Sequence, residues 1–308
     1  MASMEASDPI SIRPARRSDR RPLGEFLSGV PESSAAEASD AFLRATLKNH
    51  VLAARGSEII GACRMAPAAG RCAAVLAPRL LLWDDRLAAR LLRAAAALAY
   101  TRDAARLIQV LTDPAGGDPL ASALAEVGFA RLAVLAYLRR DVRPLENKTP
   151  MPSGIEWIAY GLLRHRLFAE TIARTYEGSL DCPGLAGLRT MDETLATHKR
   201  TGVFSPRWWH VALREGRRVG VVLLNNLEGR GEIAYLGVVP EARGRGIGRA
   251  LVERAIQDAA EMGLPLMGLA VDTSNAPAVR LYAAAGFREI RRRLAWFIPK
   301  EGLAALHE

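Results

Sequence analysis

The chain has 308 residues, of which 50% are hydrophobic and 24% charged, and it carries a formal net charge of +9. This composition excludes a disordered chain, a collagen-like chain and a small disulfide-stabilised protein, and the length is typical of two domains. No apolar run reaches the roughly 20 residues that a membrane helix needs, and the N-terminal segment lacks the apolar block of a secretory signal. We therefore expect a cytosolic globular protein.

The basic residues are distributed over both halves of the chain, and only four of the 42 are lysines. A nucleic-acid-binding protein more often gathers its basic residues into one patch with aromatic residues between them. We therefore expect no nucleic-acid partner, although an anionic small molecule is compatible with the charge. Cys63, Cys72, Cys182 and the histidines show no metal-ligand spacing, so no metal site is predicted.

The hydrophobic pattern of the first half predicts an α+β arrangement. Its elements in chain order are a strand at Ile10–Pro14, a helix at Arg17–Gly29, a strand–turn–strand unit at Val51–Met65, a helix at Asp84–Arg102, a strand at Leu107–Leu111, a short helix at Leu120–Glu126 and a strand at Leu132–Arg139. A segment with three prolines and a glycine, from Arg143 to Gly154, follows and indicates an extended linker.

The second half repeats this order of elements. They are a strand at Ile155–Tyr160, a helix at Leu162–Tyr176, a loop at Gly178–Gly187, a helix at Leu188–Arg200, strands at Trp208–Arg214, Val219–Asn225 and Glu232–Val239, a helix at Ile247–Met262, a strand at Leu266–Asp272, a helix at Ala276–Ala285 and a strand at Phe287–Ile298. A Gly-Phe pair follows a short helix in each half, so we predict an internal repeat. The predicted domains are residues 1–145 and 155–308, joined by a linker at 146–154.

The most informative segment runs from Leu236 to Leu251, where a strand passes directly into a helix through alternating glycines. Glycine lets a ligand approach the backbone closely, and the first turn of a helix offers unpaired N–H groups to an anion such as phosphate. A dinucleotide-binding loop is excluded, because Arg249 stands where its fingerprint needs a glycine. A tight turn without a ligand remains the alternative.

The run Arg243-Gly-Arg-Gly-Ile-Gly248 resembles the Gln/Arg-x-x-Gly-x-Gly/Ala acyl-CoA loop of the GNAT acetyltransferases. The segment from Asn275 to Phe287, with Leu-Tyr282 and a closing Gly-Phe, is similar to a second motif of that family. Both motifs stand in the family's order and spacing, and the resemblance extends from about residue 208 to residue 298. It implies two tandem α+β domains, each with a mixed, mostly antiparallel sheet flanked by helices.

The resemblance also implies acetyl-CoA as a cosubstrate and no metal. The residues that match the family's acyl-CoA loop are Arg243, Gly244, Arg245, Gly246, Ile247, Gly248 and Arg249. Residues 244 to 249 would bind the pyrophosphate through their backbone N–H groups. The backbone of Leu236, Gly237 and Val238 would pair with the pantetheine arm and polarise the thioester carbonyl, and Asn275 would contact the cosubstrate.

Tyr282 corresponds to the family's general acid, which would protonate the leaving thiolate. A phenol suits this role because it carries a proton at neutral pH, and a tyrosine that only lines the core is the alternative. No cysteine matches a catalytic position, so direct attack of the acceptor in a ternary complex is expected rather than a covalent acyl-enzyme.

The acceptor amine needs a proton acceptor. Some family members carry a Glu on the strand before Asn275, but Ala270 occupies that position here. We predict Glu232 instead, on a strand similar to one that carries a Glu in histone-type members. Strict alternation would put Ala234, Leu236 and Val238 on the same face as Glu232. A surface Glu at the strand start, His210 as the base, and a water chain remain open.

The first half matches the family only at its edges, from Arg13 to Asp19 and at Gly128-Phe129. It has no glycine loop, and Asp84-Asp85 places negative charge where pyrophosphate would lie. We predict a degenerate copy that binds no cofactor. Tandem members with one working half have a similar arrangement, mycothiol synthase among them, although nothing in the residues specifies a thiol-sugar acceptor.

The predicted function is therefore transfer of an acetyl group from acetyl-CoA to an amine on a small molecule or peptide. A non-catalytic acyl-CoA sensor or scaffold is the alternative. The segment from Tyr176 to Gly184 is expected to cover the acceptor. Trp208 and Trp209 are expected in the core or in the wall of the pocket. The identity of the acceptor, the preferred acyl chain and the oligomeric state are not predicted.

Overall fold

The computed structural model describes residues 9–30, 37, 39–114, 120–143, 152–299, 302 and 304–307. The chain divides into two compact units, unit 1 of Met1–Arg131 with Ala295–Glu308, and unit 2 of Leu132–Leu294. The predicted linker lies largely outside the described residues, and the predicted domain limits remain a prediction. Among the described residues, no helix combines the length and the apolar character needed to cross a membrane.

Unit 1 is an α+β unit. Its elements are β1 (Ile10–Pro14), α1 (Arg20–Gly29), α2 (Asp40–Thr46), β2 (His50–Arg55), β3 (Glu58–Ala68), β4 (Cys72–Val75), β5 (Arg79–Leu80), α3 (Asp85–Asp103), β6 (Leu107–Thr112) and α4 (Leu120–Val127). Strands β1 to β4 form antiparallel neighbours, β5 also pairs with β3, and β6 is parallel to β4. Helix α3 supplies the crossover connection that a parallel pair requires.

Helix α3 begins differently from a phosphate-binding helix. The carboxylate of Asp84 accepts a hydrogen bond from the backbone N–H of Leu87 at 2.7 Å and so caps the helix. A carboxylate bonded to one of the first N–H groups of a helix repels an anion. This contact favours the expectation that unit 1 binds no cofactor, which stays a prediction.

Most of strands β7 and β13 belongs to unit 2, together with the elements between them. The elements are β7 (Ala130–Asp141), β8 (Ile155–Ala159), α5 (His165–Tyr176), α6 (Met191–Arg200), β9 (Trp209–Arg214), β10 (Arg217–Leu227), β11 (Arg230–Val238), α7 (Ile247–Glu261), β12 (Leu266–Asp272), α8 (Ala276–Ala284) and β13 (Arg288–Phe297). Strands β8, β9, β10 and β11 are antiparallel neighbours in that order, and β12 is parallel to β11. The predicted α+β class with a mixed, mostly antiparallel sheet is confirmed.

Strand β7 was predicted in the first repeat, but it pairs antiparallel with β12 over Leu135 to Asp141 within unit 2. Sequence order alone could not assign it, because its alternating residues suit either sheet.

The sheet of unit 2 carries a hydrophobic core on each face. On one face Phe168 of α5 and Trp209 of β9 are fully buried, and on the other Leu251 and Val252 of α7 are fully buried. The indole N–H of Trp209 donates to Asn225 Oδ1 at 2.8 Å, while Asn225 Nδ2 donates to two backbone carbonyls. Trp209 therefore belongs to the core, where its polar atom has the partner that a buried indole needs.

Candidate functional site

Strands β11 and β12 diverge after a short parallel contact. Gly231 and Glu232 of β11 pair with Met267 and Gly268 of β12, and within the described residues no further pair joins these strands. The edge of β11 beyond Glu232 is therefore not used by β12, and its backbone groups need other partners. A wedge-shaped opening between two parallel strands is suited to an extended ligand that adds to the free edge.

A β-bulge at Ala234 changes the predicted faces of β11. Leu223 of β10 pairs with Tyr235, but the next residue of β10 pairs with Ile233, so Ala234 is the extra residue. Ala234 and Tyr235 both pack on the α5 face, whereas Leu236 and Val238 pack on the α7 face. The prediction that Glu232, Ala234, Leu236 and Val238 all share one face is wrong, because it assumed uninterrupted alternation.

Gly237 lets β11 and α5 approach each other closely. A β-carbon at this position would lie 2.6 Å from Thr175 Oγ1 and 2.8 Å from the hydroxyl oxygen of Tyr235. These two oxygens are 2.7 Å apart and hydrogen-bonded, and Thr175 Oγ1 donates in turn to the carbonyl of Ile172. No side chain larger than hydrogen fits at Gly237 without breaking this contact.

The glycine loop enters α7 through residues in the left-handed region. Gly244 has φ +73° and Gly246, the N-cap of α7, has φ +79°. An L-residue is strained in this conformation, which explains why glycine is needed at these positions. Gly246, Gly248 and Arg249 line a cavity at the start of α7, where the first N–H groups of the helix lack intrahelical partners.

The cavity has a volume of about 680 Å³ and lies between the diverging strands, the glycine loop, α8 and the segment after α5. The predicted cofactor residues on its wall are Leu236, Gly237, Val238, Arg243, Gly244, Gly246, Gly248, Arg249 and Asn275. Of the other two, Ile247 is buried in the core and Arg245 is exposed. A cavity of this size is within the range of small-molecule sites.

Tyr282 of α8 lies on the wall of this cavity and is 7% exposed. Burial raises its pKa, and the nearby negative charge of Asp181 raises it further. The phenol therefore holds its proton throughout the physiological pH range, as a general acid must. Asn275 caps the helix that carries it, because its side chain accepts from the backbone N–H of Ala278 at 3.3 Å.

Glu232 stands where β11 and β12 separate, and it is not among the residues that line the cavity. Its carboxylate lies over Gly268, where a β-carbon would come within 3.0 Å of Glu232 Oε2. Arg230 Nε donates to the same oxygen at 3.5 Å. Burial raises the pKa of Glu232, and the guanidinium of Arg230 partly opposes this. Of its neighbours on β11, Ile233 lies on the cavity wall.

His210 belongs to a buried cluster of polar side chains on β9 and α7. Its Nε2 lies 2.9 Å from Asp258 Oδ2, and Arg254 Nε lies 2.9 Å from the other oxygen of the same carboxylate. Asp258 is fully buried on α7, and His210 is 3% exposed and does not line the cavity. This arrangement favours a structural role over the role of base that the sequence left open.

Sequence reasoning missed Asp181, the only carboxylate among the described residues that line the cavity. It lies after Leu180 in the segment that was expected to cover the acceptor. Withdrawal from solvent at the cavity wall raises its pKa, and its negative charge also reaches Tyr282. An acidic residue in a loop carries no sequence signal of its own, because most such residues are simply solvated.

Comparison with known proteins agrees with this geometry. Residues 174–287 match the Acetyltransferase (GNAT) family, so this part of unit 2 is a GNAT acetyltransferase domain. A curated relative, the mycothiol acetyltransferase of Thermomonospora curvata, is 33% identical over 192 residues, which are 56% of this chain and 58% of the relative. The chain thus spans little more than half the length of that relative.

Two solved structures show the fold. A GCN5-related N-acetyltransferase from Sphaerobacter thermophilus has a TM-score of 0.63 at 19% identity and covers 94% of this chain and 96% of its own. A tandem GNAT protein from the clavulanic acid biosynthesis pathway has a TM-score of 0.52 at 18% identity, and the match covers 95% of this chain and 99% of that protein. The predicted resemblance to GNAT proteins of the tandem type is confirmed at the level of the fold.

Proposed function

We propose that unit 2 transfers an acetyl group from acetyl-CoA to the amine of a small molecule. The observation that carries this proposal is the convergence of three features on one cavity: the start of α7, the unpaired edge of β11 and the phenol of Tyr282. The first suits a pyrophosphate, the second suits a pantetheine arm and the third suits a leaving thiolate. The GNAT domain at residues 174–287 supports the same activity.

The reaction that these residues could support is a direct acyl transfer. The neutral amine nitrogen attacks the thioester carbonyl carbon, an N–C bond forms and the C–S bond breaks. The proton of Tyr282 goes to the departing sulfur, which gives the free thiol of CoA. The amine loses one proton to Glu232, and water must carry that proton because Glu232 is not among the residues that line the cavity. Tyr282 and Glu232 then exchange protons with solvent.

Asp181 suits the acceptor side of the cavity. A carboxylate on a partly enclosed wall attracts a primary ammonium group and excludes anionic acceptors. The name of the curated relatives makes the amine that is acetylated to form mycothiol the first acceptor to assay.

Thiol release from acetyl-CoA with a panel of amines tests the proposal. We expect turnover with at least one of the mycothiol precursor amine, D-glucosamine, spermidine, kanamycin and a dipeptide amide, and calorimetry should give one acetyl-CoA site per chain. Binding of acetyl-CoA without acetylation of any amine would favour the sensor function. Two equivalent sites would contradict the expectation that unit 1, where Asp84 caps α3, binds no acetyl-CoA.

A further inference from the structure

The side chain of Arg243 is engaged by the protein itself. Its Nε donates to the carbonyl of Val238 at 3.2 Å, and Nη1 donates to the carbonyl of Gly178 at 3.0 Å. Its Nη2 donates to the carbonyls of Thr175 at 3.0 Å and Glu177 at 2.7 Å. Four of the five N–H bonds of a guanidinium are accounted for by these contacts.

Three of these four carbonyls belong to the end of α5 and the residues after it, since α5 ends at Tyr176. The last carbonyls of a helix lack intrahelical partners and carry the negative end of its dipole, so a guanidinium is a favourable partner for them. The contact is close, because a β-carbon on Gly178 would lie 3.4 Å from Arg243 Nη1. Arg243 therefore ties the glycine loop to the segment that follows α5.

A second contact joins the same two parts of unit 2. Arg174 near the end of α5 pairs with Glu177 at 2.6 Å and with Glu241, before the glycine loop, at 3.1 Å. Both pairs are largely exposed, so each contributes little by itself. The Arg174–Glu241 pair nevertheless joins the end of α5 to the residues just before the glycine loop, and it does not involve Arg243.

The tied segment carries the acceptor side of the cavity. Gly178, whose carbonyl accepts from Arg243, and the next residues Ser179, Leu180 and Asp181 all line the cavity. Resting on the proposed function, we propose that Arg243 is a positioning residue for the acceptor and not a ligand of the cosubstrate phosphates. Its guanidinium fixes the segment 177–181 and thereby the carboxylate that meets the acceptor amine.

The test compares Arg243→Gln with Arg249→Gln, which removes the same charge from a residue on the cavity wall at the start of α7. Arg217→Gln, on the exposed β9–β10 hairpin, is the control for loss of surface charge. Calorimetry with acetyl-CoA, hydrogen exchange of residues 177–182 and the two Michaelis constants are measured for each protein. Arg243→Lys is a conservative variant that keeps the positive charge but lacks the planar guanidinium group with its five donors.

We expect Arg243→Gln to speed exchange at 177–182 and to raise the KM for the amine about tenfold or more, because displacement of a positioning segment is costly. Its affinity for acetyl-CoA should change little, and Arg243→Lys should be intermediate. Arg249→Gln should show the reverse pattern, with weaker acetyl-CoA binding and unchanged exchange at 177–182.

Equal exchange in Arg243→Gln and the parent, together with weakened acetyl-CoA binding, would overturn this proposal and return Arg243 to the phosphate site. Exchange and calorimetry do not depend on turnover. A failure to acetylate any amine would therefore count against the proposed function, whereas these two measurements still decide whether Arg243 holds the segment.

Discussion

Asp181, on the wall of the cavity in unit 2, is hydrogen-bonded to Asp272 at the end of β12. The backbone N–H of Asp272 donates to Asp181 Oδ1 at 3.3 Å, and the N–H of the next residue, Cys182, donates to Asp272 Oδ2 at 3.2 Å. Asp272 Oδ1 also accepts from the N–H and hydroxyl of Ser274, just before α8. One buried carboxylate therefore orders both the segment that carries Asp181 and the turn that leads to Tyr282.

Cys182 adopts the left-handed conformation, with φ +46°. A non-glycine residue there is strained, and such strain persists only where surrounding contacts enforce it. The bond from its N–H to Asp272 is one such contact. The thiol itself is inert at neutral pH, because burial, Asp181 and Asp272 raise its pKa to about 12.

Replacement of Gly246 by valine should weaken acetyl-CoA binding. The residue needs φ +79°, and a β-carbon would lie 3.1 Å from Pro152 Cγ, so the loop must shift. Gly263→Val is the matched control, because Gly263 follows the other end of α7 at φ +68° with no atom within 4 Å of a β-carbon. Each variant should lose about 1–2 kcal/mol of stability, but only Gly246→Val should lose affinity in calorimetry. Equal acetyl-CoA affinity in Gly246→Val and the parent would contradict the assignment of the loop.

Replacement of Tyr282 by phenylalanine should lower kcat by about tenfold to a few hundredfold, the scale of one general acid. Acetyl-CoA affinity should hardly change, because only the hydroxyl is lost. Tyr160→Phe is the control: its hydroxyl bonds to His165 and Lys199, and Tyr160 does not line the cavity. Unchanged kcat in Tyr282→Phe, with chemistry shown to be rate-limiting, would assign Tyr282 to packing.

Local sequence patterns predicted most of the elements of unit 2 because its strands and helices are strongly periodic. They missed α2 in unit 1, whose seven residues are too few to show a helical period. They also started α5 too early, at Leu162, because a 3-10 turn at Leu162–Arg164 precedes the helix. Helix starts depend on capping contacts more than on periodicity.

The parts of the site that the sequence did not predict depend on contacts between distant segments. Arg243 was predicted from its motif as a cofactor-binding residue, but its donors reach residues 175 to 178. Asp181 meets Asp272 only through the fold. The bulge at Ala234 depends on how β10 and β11 pair, so the sequence of β11 alone does not predict it.

His198 should make the protein less stable in acid. Burial lowers its pKa to about 4, whereas the imidazole of an unfolded chain titrates near about 6.5. The unfolded chain therefore binds the proton first, and the stability from neutral His198 is lost as the pH falls from about 6.5 to about 4. Within the described residues its Nε2 has no hydrogen-bond partner, and its ring lies 5.6 Å from that of Tyr235.

Phenylalanine at position 198 keeps the ring and removes the titration. We expect His198→Phe to be at least as stable as the parent at pH 7 and to lose less stability than the parent at pH 4.5, measured by chemical denaturation. The difference is at most about 3 kcal/mol. Burial also lowers the pKa of His50, but this residue is present in both proteins and cancels in the comparison. Parallel pH profiles would show that His198 does not titrate as its burial implies.

Glu232→Gln and Asp181→Asn should separate the proton acceptor from the acceptor-binding carboxylate. Each change keeps the size of the side chain and removes its charge. Glu232→Gln should lower kcat, and the loss should shrink as the pH rises, because more of the amine is then already neutral. Asp181→Asn should mainly raise the KM for the amine, because the ammonium loses its partner on the cavity wall. Neither variant should change acetyl-CoA affinity much.

The pH profile of kcat, which reports groups in the ternary complex, distinguishes the proton acceptor from the acceptor-binding carboxylate. Burial raises the pKa of Glu232, and withdrawal from solvent raises that of Asp181. A base must be ionised to accept a proton, so activity should fall on the acid side at a higher pH than an ordinary carboxyl would give. In the ternary complex the bound ammonium already holds Asp181 ionised, so the carboxyl part of that acid limb should disappear from kcat in Glu232→Gln and remain in Asp181→Asn. Loss of the limb in Asp181→Asn alone would make Asp181 the base, which its position on the cavity wall would then explain without a water chain.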